Sequence, residues 1–264
     1  MTLSIVTFFC RNTSRAIGLA AGLAIILAYA SIHSAQAQNL IDPSTSIGSV
    51  PGYAGTGLSG TYYNTGVSDQ PLATFTTTNV CFPDCSSTSF SDGAGGLLAF
   101  TNGNISNVAF NPNVQAPDYW NNSSLDISGY IAINQPGIYN FTLGSDDNSY
   151  LTIGGQNLLS IPGCCTTVGG SASFSAAGLY PILIQFMEYG GGSYLNVTAS
   201  NDSGCLIGCS DGNGGYIDSG LFYSDAQLQG APAPAVGSGW VSIALLFLLS
   251  AGAFVRLLRH GVAI

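Results

Sequence analysis

Apolar and polar residues alternate through the central part of this 264-residue chain, and a period of two is the signature of β-strands. The clearest run covers residues 125–133 and leads into the turn signal Gln135-Pro136-Gly137. Beyond that turn, residues 138–143 alternate again. We therefore predict a β-hairpin built from these two runs.

More strands follow along the chain. Residues 150–159 alternate on either side of a turn at Gly154 and Gly155, which predicts a second hairpin. Residues 179–187 form another alternating run, and residues 194–198 return beyond a loop of three glycines. Almost nothing in this region has the pattern of an amphipathic helix. The predicted fold class is all-β, an antiparallel sandwich or barrel.

The chain begins with the three parts of a secretory signal peptide. Arg11 and Arg15 precede an apolar run, which ends in the small-residue motif Ser-Ala-Gln-Ala. We predict that residues 1–37 are removed during export. Residues 38–56 then form an N-terminal extension ahead of a β domain at residues 57–229.

The other end carries a predicted membrane segment. Residues 230–235 read Gly-Ala-Pro-Ala-Pro-Ala, which is typical of a stiff linker. Residues 236–264 are predicted to form one transmembrane helix with a basic tip, leaving the β domain outside the cell. This end resembles the PEP-CTERM class of bacterial sorting signals, with Pro-Ala-Pro in place of the usual Pro-Glu-Pro. A plain C-terminal anchor is the alternative.

Charge is divided sharply between the ends and the body. All four arginines and both histidines lie in the terminal segments, whereas all thirteen acidic residues lie between residues 38 and 235. Such a domain repels phosphate backbones, so we predict no nucleic-acid partner. It also lacks the His or Lys base that serine and cysteine nucleophiles need, so we predict that it is not an enzyme. Divalent cations are the expected partners.

Six cysteines remain in the exported part, and an even number predicts three disulfides. Because a vicinal bridge is strained, we expect Cys164 and Cys165 to reach separate partners. The stretches that carry the cysteines, residues 81–96, 162–170 and 202–215, are predicted to be loops tied down by the disulfides. The candidate cysteines are Cys81, Cys85, Cys164, Cys165, Cys205 and Cys209.

Two linked motifs resemble a known family. Residues 139–155 contain a strand ending in a Ser-Asp-Asp turn, and residues 177–192 contain a Gly-x-Tyr-Pro-Ile strand leading to a Glu-containing, Gly-rich loop. Together they resemble the protective-antigen fourteen-kilodalton (PA-fourteen) domain, over roughly residues 57–223. Members of this family are β-sandwich modules of adhesins, toxins and glycosidases, and the yeast flocculins bind sugars through calcium.

The resemblance implies a Ca²⁺ site. Asp146 and Asp147 match the paired aspartates, which the family joins by a cis peptide bond. Glu188 falls where the flocculins have an asparagine ligand, and Gly190 and Gly192 fall where loop carbonyls complete the coordination. A glutamate is chemically acceptable there, because calcium takes carboxylate and carbonyl oxygens.

Strand geometry supports this assignment independently. Neighbouring side chains on a strand point to opposite faces, so two adjacent carboxylates reach one ion only if the backbone is bent. The alternative is that Ser-Asp-Asp-Asn-Ser is simply a turn, for which Asp and Asn are favoured.

A bound ion with open positions would accept sugar hydroxyls, with Tyr189, Tyr150 and Asn148 as candidate ligand contacts. We therefore predict a calcium-dependent carbohydrate-binding or adhesion module, exported to the cell surface and binding glycans or exopolysaccharide. The alternative is a structural envelope or biofilm-matrix protein in which calcium only stiffens the β domain.

Overall fold

The computed structural model describes residues 39–84, 90–91, 95–210 and 216–230. Within these residues the chain forms two eight-stranded sheets that enclose one hydrophobic core. The predicted all-β sandwich is confirmed, and the barrel alternative is wrong, because neither sheet closes on itself among the described strands.

The strands of the first sheet are β1 (Asn39–Ile41), β4 (Cys81–Phe82), β5 (Phe90–Ser91), β8 (Gly137–Asp146), β11 (Thr166–Phe174), β13 (Gly192–Asn201), β14 (Gly204–Ser210) and β15 (Tyr216–Asp218). Their order is β1-β11-β8-β13-β14-β15, and the short strands β4 and β5 also pair with β13. All pairings are antiparallel except that of β1 with β11, which is parallel.

The strands of the second sheet are β2 (Leu58–Asn64), β3 (Ser68–Thr77), β6 (Ser106–Phe110), β7 (Ser123–Ile133), β9 (Asn148–Ile153), β10 (Gln156–Ile161), β12 (Gly178–Met187) and β16 (Phe222–Tyr223). Their order is β10-β9-β12-β7-β2-β3-β6, and β16 pairs with β7. Every pairing in this sheet is antiparallel.

Helices are short. A 3₁₀ turn covers Pro43–Thr45, α1 covers Gly96–Thr101 and α2 covers Asp225–Gly230. Of the helices that the structure describes, none has the length and apolarity that crossing a bilayer requires. The predicted signal peptide, most of the linker and the predicted transmembrane segment lie outside the described residues and stay predictions.

The predicted N-terminal extension contributes to the fold. Its first described residues form β1, which lies alongside β11, and Ile41 is fully buried in the core. The ordered body of the domain therefore begins ahead of residue 57.

The period-two pattern identified which face of each strand is buried. Buried and more exposed residues alternate along β7, β9 and β12, and the buried ones from both sheets meet in the core. At one end of the core, the Trp120 ring stacks on Phe100 with centroids 4.1 Å apart. The indole Nε1–H of Trp120 donates to Ser193 Oγ at 2.8 Å, so its polar group is satisfied although the side chain is fully buried.

The predicted hairpin of residues 125–143 is wrong. Its strands became β7 and β8, which lie in different sheets and do not pair. Residues 194–198 lie in β13, which belongs to the sheet opposite β12. The two strands are consecutive in the chain but do not pair with each other. Alternation determines which face of a strand is buried, but it does not determine which strand lies beside it. Two consecutive strands can bury their apolar faces in the same core from opposite sheets.

The second hairpin is confirmed as β9 and β10, with Ile153 opposite Gln156 across a two-residue turn. Gly154 and Gly155 have φ values of 58° and 76°. Positive φ at both central residues is what a type I′ turn requires, which explains why glycine occupies both positions.

The predicted loops of the cysteine segments are only partly loops. Cys81 lies in β4, residues 166–170 belong to β11, and Cys205 and Cys209 both lie in β14. Cys205 and Cys209 form a disulfide with their Cα atoms 6.1 Å apart. Four extended residues would span about 13 Å, so the strand is folded back between the two cysteines, where Gly208 has φ 71°.

Candidate functional site

Three connections between the two sheets meet at one end of the sandwich. Asp147 joins β8 to β9, residues 162–165 join β10 to β11, and residues 188–191 join β12 to β13. Strand register places them together: Asn148 pairs with Met187, and Thr166 pairs with Ser145. The predicted site residues are thus gathered by the crossovers.

The aspartate pair sits at the first crossover. Asp146 is the last residue of β8 and is buried, Asp147 is partly exposed, and the peptide bond between them is cis. The Ser145 hydroxyl donates to the Asp147 carbonyl at 2.6 Å, and Ser145 Oγ lies 2.6 Å from Ser149 Oγ. Because Ser145 has one hydroxyl proton, Ser149 is the donor in the second bond. Two buried serines therefore hold the bend.

The third crossover is hydrogen-bonded to this pair. The backbone N–H of Tyr189 donates to Asp147 Oδ2 at 2.9 Å. Within the loop, the Gly190 N–H donates to Glu188 Oε1 at 2.7 Å, and the Glu188 N–H donates to the Ser123 carbonyl at 2.8 Å. Glu188 is 1% exposed, so its carboxylate is enclosed in the end of the sandwich.

The three predicted carboxylates are not drawn into one tight group. Among the described residues, the set of potential metal-binding side chains whose ligand atoms all lie within 4.8 Å of one another is Asp146 with Cys164 and Cys165. Asp146, Asp147 and Glu188 do not form such a set. Asp147 and Glu188 instead each accept a backbone N–H of the 188–191 connection.

The donor chemistry nevertheless suits Ca²⁺. Two adjacent carboxylates, a third carboxylate and the carbonyls of a glycine-rich loop are hard oxygen ligands of the kind calcium prefers. No Lys, Arg or His occurs between residues 38 and 235, so no basic side chain of the domain is present to neutralise buried Asp146. A cation from solution is the available source of positive charge.

Tyr194 lies beside the aspartate pair, opposite Asp146 in the first sheet. Burial raises the pKa of its phenol, and the negative charge of Asp146 raises that pKa further, whereas a hydrogen bond with Thr167 lowers it. The phenol is accordingly protonated at neutral pH and donates to the Thr166 carbonyl at 3.2 Å.

The predicted ligand contacts lie on the side of the second sheet. Tyr189 is 58% exposed, and its hydroxyl lies 3.9 Å from Met187 Sδ. Tyr150 is partly exposed on β9, opposite Gln185, and Asn148 begins the same strand. Of these three residues, Tyr189 is tied directly to the aspartate pair, through its backbone N–H.

The loop of residues 162–170, which we also expect from the sequence to border a bound saccharide, carries cysteines whose predicted pairing is wrong. Cys164 and Cys165 do not reach separate partners: they form a vicinal disulfide in the 162–165 connection. Both are exposed, and Cys165 has φ 68°. Cys205 and Cys209 likewise bond to each other within one strand. Cys81 is disulfide-bonded as well, while Cys85 lies outside the described residues.

Ser145 was also missed as a site residue. Its place directly before two aspartates at the end of an alternating strand was the available signal, since a small hydroxyl residue there can bond the backbone of a sharp bend. For the vicinal cysteines the signal was weaker: they follow a hairpin whose second strand returns to the end where the aspartates lie.

Comparison with known proteins gives one family and a group of similar folds. A family model described as the PA14 domain matches residues 55–211. The PA14 domain of MpAFP antifreeze protein is 20% identical, with 67% of this chain and 95% of that one covered and a TM-score of 0.48. The PA14 sugar-binding domain from an RTX adhesin is 18% identical, with 58% and 95% covered and a TM-score of 0.42.

A third similar structure is the Epithelial Adhesin 6 A domain from Candida glabrata, in complex with Galβ1-3GlcNAc. It is 17% identical, with 68% of this chain and 92% of that one covered and a TM-score of 0.42. Among curated proteins, no sequence matches this chain.

Proposed function

The chain belongs to the PA14 domain family, and from that membership and the geometry of the three crossovers we propose that it is a calcium-dependent carbohydrate-binding module of the cell surface. The observation that carries the proposal is the position of the aspartate pair: Asp146 is buried at the end of β8, and Asp147 is hydrogen-bonded to the loop that holds the other candidate ligands.

Oxygen atoms of five residues would hold the ion: the carboxylates of Asp146, Asp147 and Glu188 and the carbonyls of Gly190 and Gly192. Calcium bound there supplies positive charge and coordination positions for sugar hydroxyls. The chain's own contribution is to fix the carboxylates, because Ser145 and Ser149 hold the bend and the Tyr189 N–H holds Asp147 against the loop.

Surface chemistry supports a neutral saccharide as the partner. The domain has thirteen acidic residues and no basic ones between residues 38 and 235, so an anionic polymer would be repelled. Exposed Tyr189 beside the aspartates offers an aromatic ring, and Asn148 offers a neutral amide close by. The same absence of a His or Lys base supports a binding role without catalysis.

Calorimetric titration of the purified, exported chain with CaCl₂ tests the ion site. We expect Asp146→Asn and Asp147→Asn each to weaken calcium binding by about tenfold or more, because each removes a ligand charge. Asp69→Asn is the matched control, since Asp69 is exposed on β3 in the second sheet. If the calcium isotherms of both site variants superimpose on the isotherm of Asp69→Asn, the site is ruled out.

A glycan array read with calcium and with EDTA tests the carbohydrate partner; it should include Galβ1-3GlcNAc and β-lactose, the sugars named for similar adhesin structures. Retention that is lost in EDTA supports the proposal. Calcium binding without any glycan retention would favour the structural alternative, in which the ion stiffens the crossovers. The internal bond from Gly190 to Glu188 is the feature that favours that alternative.

Surface display is the remaining part of the proposal, and it rests on the predicted signal peptide and C-terminal segment. Immunoblots of membrane and culture-medium fractions, read for a size change, distinguish an anchored chain from one that is cut and released.

A further inference from the structure

The connection between β10 and β11 presents a disulfide next to the aspartate pair. Cys164 and Cys165 are exposed residues, whereas Asp146 is buried. The two Sγ atoms and a carboxylate oxygen of Asp146 lie within 4.8 Å of one another. The distance between the Asp146 carboxylate and the sulfur atoms is therefore shorter than a pyranose ring with its hydroxyl groups. A saccharide held at Asp146 would contact the sulfurs.

Hydrogen bonds within the protein fix the position of the disulfide. The Cys165 N–H donates to the Ser145 carbonyl at 3.1 Å, and the next residue, Thr166, pairs with Ser145 in the first sheet. The Thr166 carbonyl in turn accepts the Tyr194 hydroxyl at 3.2 Å. These bonds tie the connection to the residue that precedes the aspartate pair, so its surface is formed before any ligand arrives.

The chemistry of this surface differs from that of the carboxylates. Two bonded neighbouring cysteines close a small ring through their shared peptide, which leaves the side chains little freedom. Sulfur is polarizable and only a weak hydrogen-bond acceptor, and a disulfide has no donor. The surface therefore suits the C–H face of a sugar ring better than its hydroxyl groups.

We propose that the Cys164–Cys165 disulfide is the apolar platform on which the saccharide ring packs, on the other side of the aspartate pair from the crossover that holds Tyr189. This role rests on the proposed carbohydrate binding and adds to it a specificity requirement. The bound sugar must present an unsubstituted C–H patch on the side of the first sheet while its hydroxyl groups face Asp146 and Asp147.

A pair of matched double variants tests the platform. Cys164→Ala/Cys165→Ala removes both sulfurs beside Asp146, and Cys205→Ala/Cys209→Ala removes the disulfide within β14. For the glycan that the array retains most strongly, we expect the first variant to weaken the Kd about fivefold, as loss of roughly 40 Å² of apolar contact predicts. We expect its calcium Kd, and both constants of the control, to stay within about twofold of wild type.

Each alternative result overturns the platform in a different way. An unchanged glycan Kd in the first variant means that the sulfurs do not touch the sugar. A calcium Kd that weakens in parallel means that the disulfide acts by positioning Asp146. If the wild-type chain binds calcium but retains no glycan, both the proposed carbohydrate binding and the platform are wrong. If wild type binds the glycan and Cys164→Ala/Cys165→Ala binds it with the same Kd, only the platform is wrong.

Protection from reduction provides the readout if the first variant fails to fold. Dithiothreitol transfers its electrons to the protein disulfide, leaving two cysteine thiols and the cyclic disulfide of the reagent. Saturating glycan is expected to slow this reaction several-fold at Cys164–Cys165 and leave it unchanged at Cys205–Cys209, as measured by alkylation and mass spectrometry. Equal rates with and without glycan at Cys164–Cys165 would overturn the proposal.

Discussion

The backbone N–H of Tyr189 donates a hydrogen bond to Oδ2 of Asp147 at 2.9 Å, which joins two connections separated by about forty residues of chain. This bond makes the glycine-rich loop and the aspartate pair one unit, because Asp147 belongs to the β8–β9 crossover and Tyr189 to the β12–β13 crossover. A carboxylate that orders a loop in this way has a structural role besides any role as a metal ligand.

Substitutions at Asp147 should separate those two roles. Asp147→Asn can keep an acceptor for the Tyr189 N–H, whereas Asp147→Ala removes it. We expect both variants to lose calcium affinity, but only the alanine variant to speed hydrogen exchange at the Tyr189 amide, by roughly tenfold to 150-fold for a bond to a charged group worth about 1.5 to 3 kcal/mol. Exchange that is equally fast in both variants would show that the negative charge itself orders the loop.

The buried pair Trp120 and Ser193 makes a second prediction. Trp120→Phe keeps a ring in the aromatic stack but leaves the Ser193 hydroxyl without its indole donor, and Ser193→Ala leaves the indole N–H without its acceptor. Each single variant should lower the free energy of unfolding by about 1 to 3 kcal/mol. The double variant should cost less than the sum of the two, because both polar groups are then gone; urea unfolding measures all three.

Tyr62 predicts how stability depends on alkaline pH. Burial raises the pKa of its phenol, with smaller lowering effects from hydrogen bonds to Ser123 and Asn64. A raised folded-state pKa means that the folded chain binds the proton more tightly than the unfolded chain. The resulting stability is therefore fully present below the unfolded pKa of about 10 and is lost as pH rises through the folded pKa.

The Tyr62→Phe variant isolates this contribution. It should be somewhat less stable than wild type at neutral pH, because the bond between the Tyr62 hydroxyl and Ser123 Oγ is lost. Above about pH 10, its free energy of unfolding should fall less steeply with pH than that of wild type. Parallel curves from pH 8 to 11 would show that Tyr62 does not titrate on unfolding.

Sequence could predict the strands and one hairpin, because these depend on local chemistry. Alternation predicted β7, β9 and β12, and two consecutive glycines predicted the β9–β10 turn. Both glycines have positive φ in the structure. The family motif also predicted the cis peptide bond between Asp146 and Asp147. Each of these features is encoded in residues close together along the chain.

Sequence could not predict which strands pair or that a vicinal disulfide lies beside Asp146. Strands β7 and β8 are consecutive yet lie in opposite sheets, since a period of two is satisfied by a partner across the core as well as by one alongside. The vicinal disulfide reaches Asp146 only because three crossovers end at the same edge of the sandwich. That juxtaposition depends on the topology of the whole domain.

Two glycines in neighbouring crossovers provide a matched test of the loop that carries the candidate carbonyl ligands. Gly191 has φ 110°, which side chains rarely adopt, although a Cβ there would meet nothing within 4 Å. Gly163 also has open space around it but lacks a positive φ in that range. Alanine at either position therefore adds the same atom without a clash, and only Gly191→Ala must strain or shift the backbone.

We expect Gly163→Ala to bind calcium as wild type does and to keep wild-type stability within about 0.5 kcal/mol. Gly191→Ala should lose about 1 to 2 kcal/mol of stability or relieve the strain by moving the loop. Movement would displace the carbonyls of Gly190 and Gly192, so calcium affinity should fall by about tenfold, as calorimetry would show. If Gly191→Ala keeps wild-type stability, which would mean that the loop has moved to relieve the strain, and still binds calcium normally, the carbonyls of this loop are not ligands, and Asp146 and Asp147 must hold the ion with other groups.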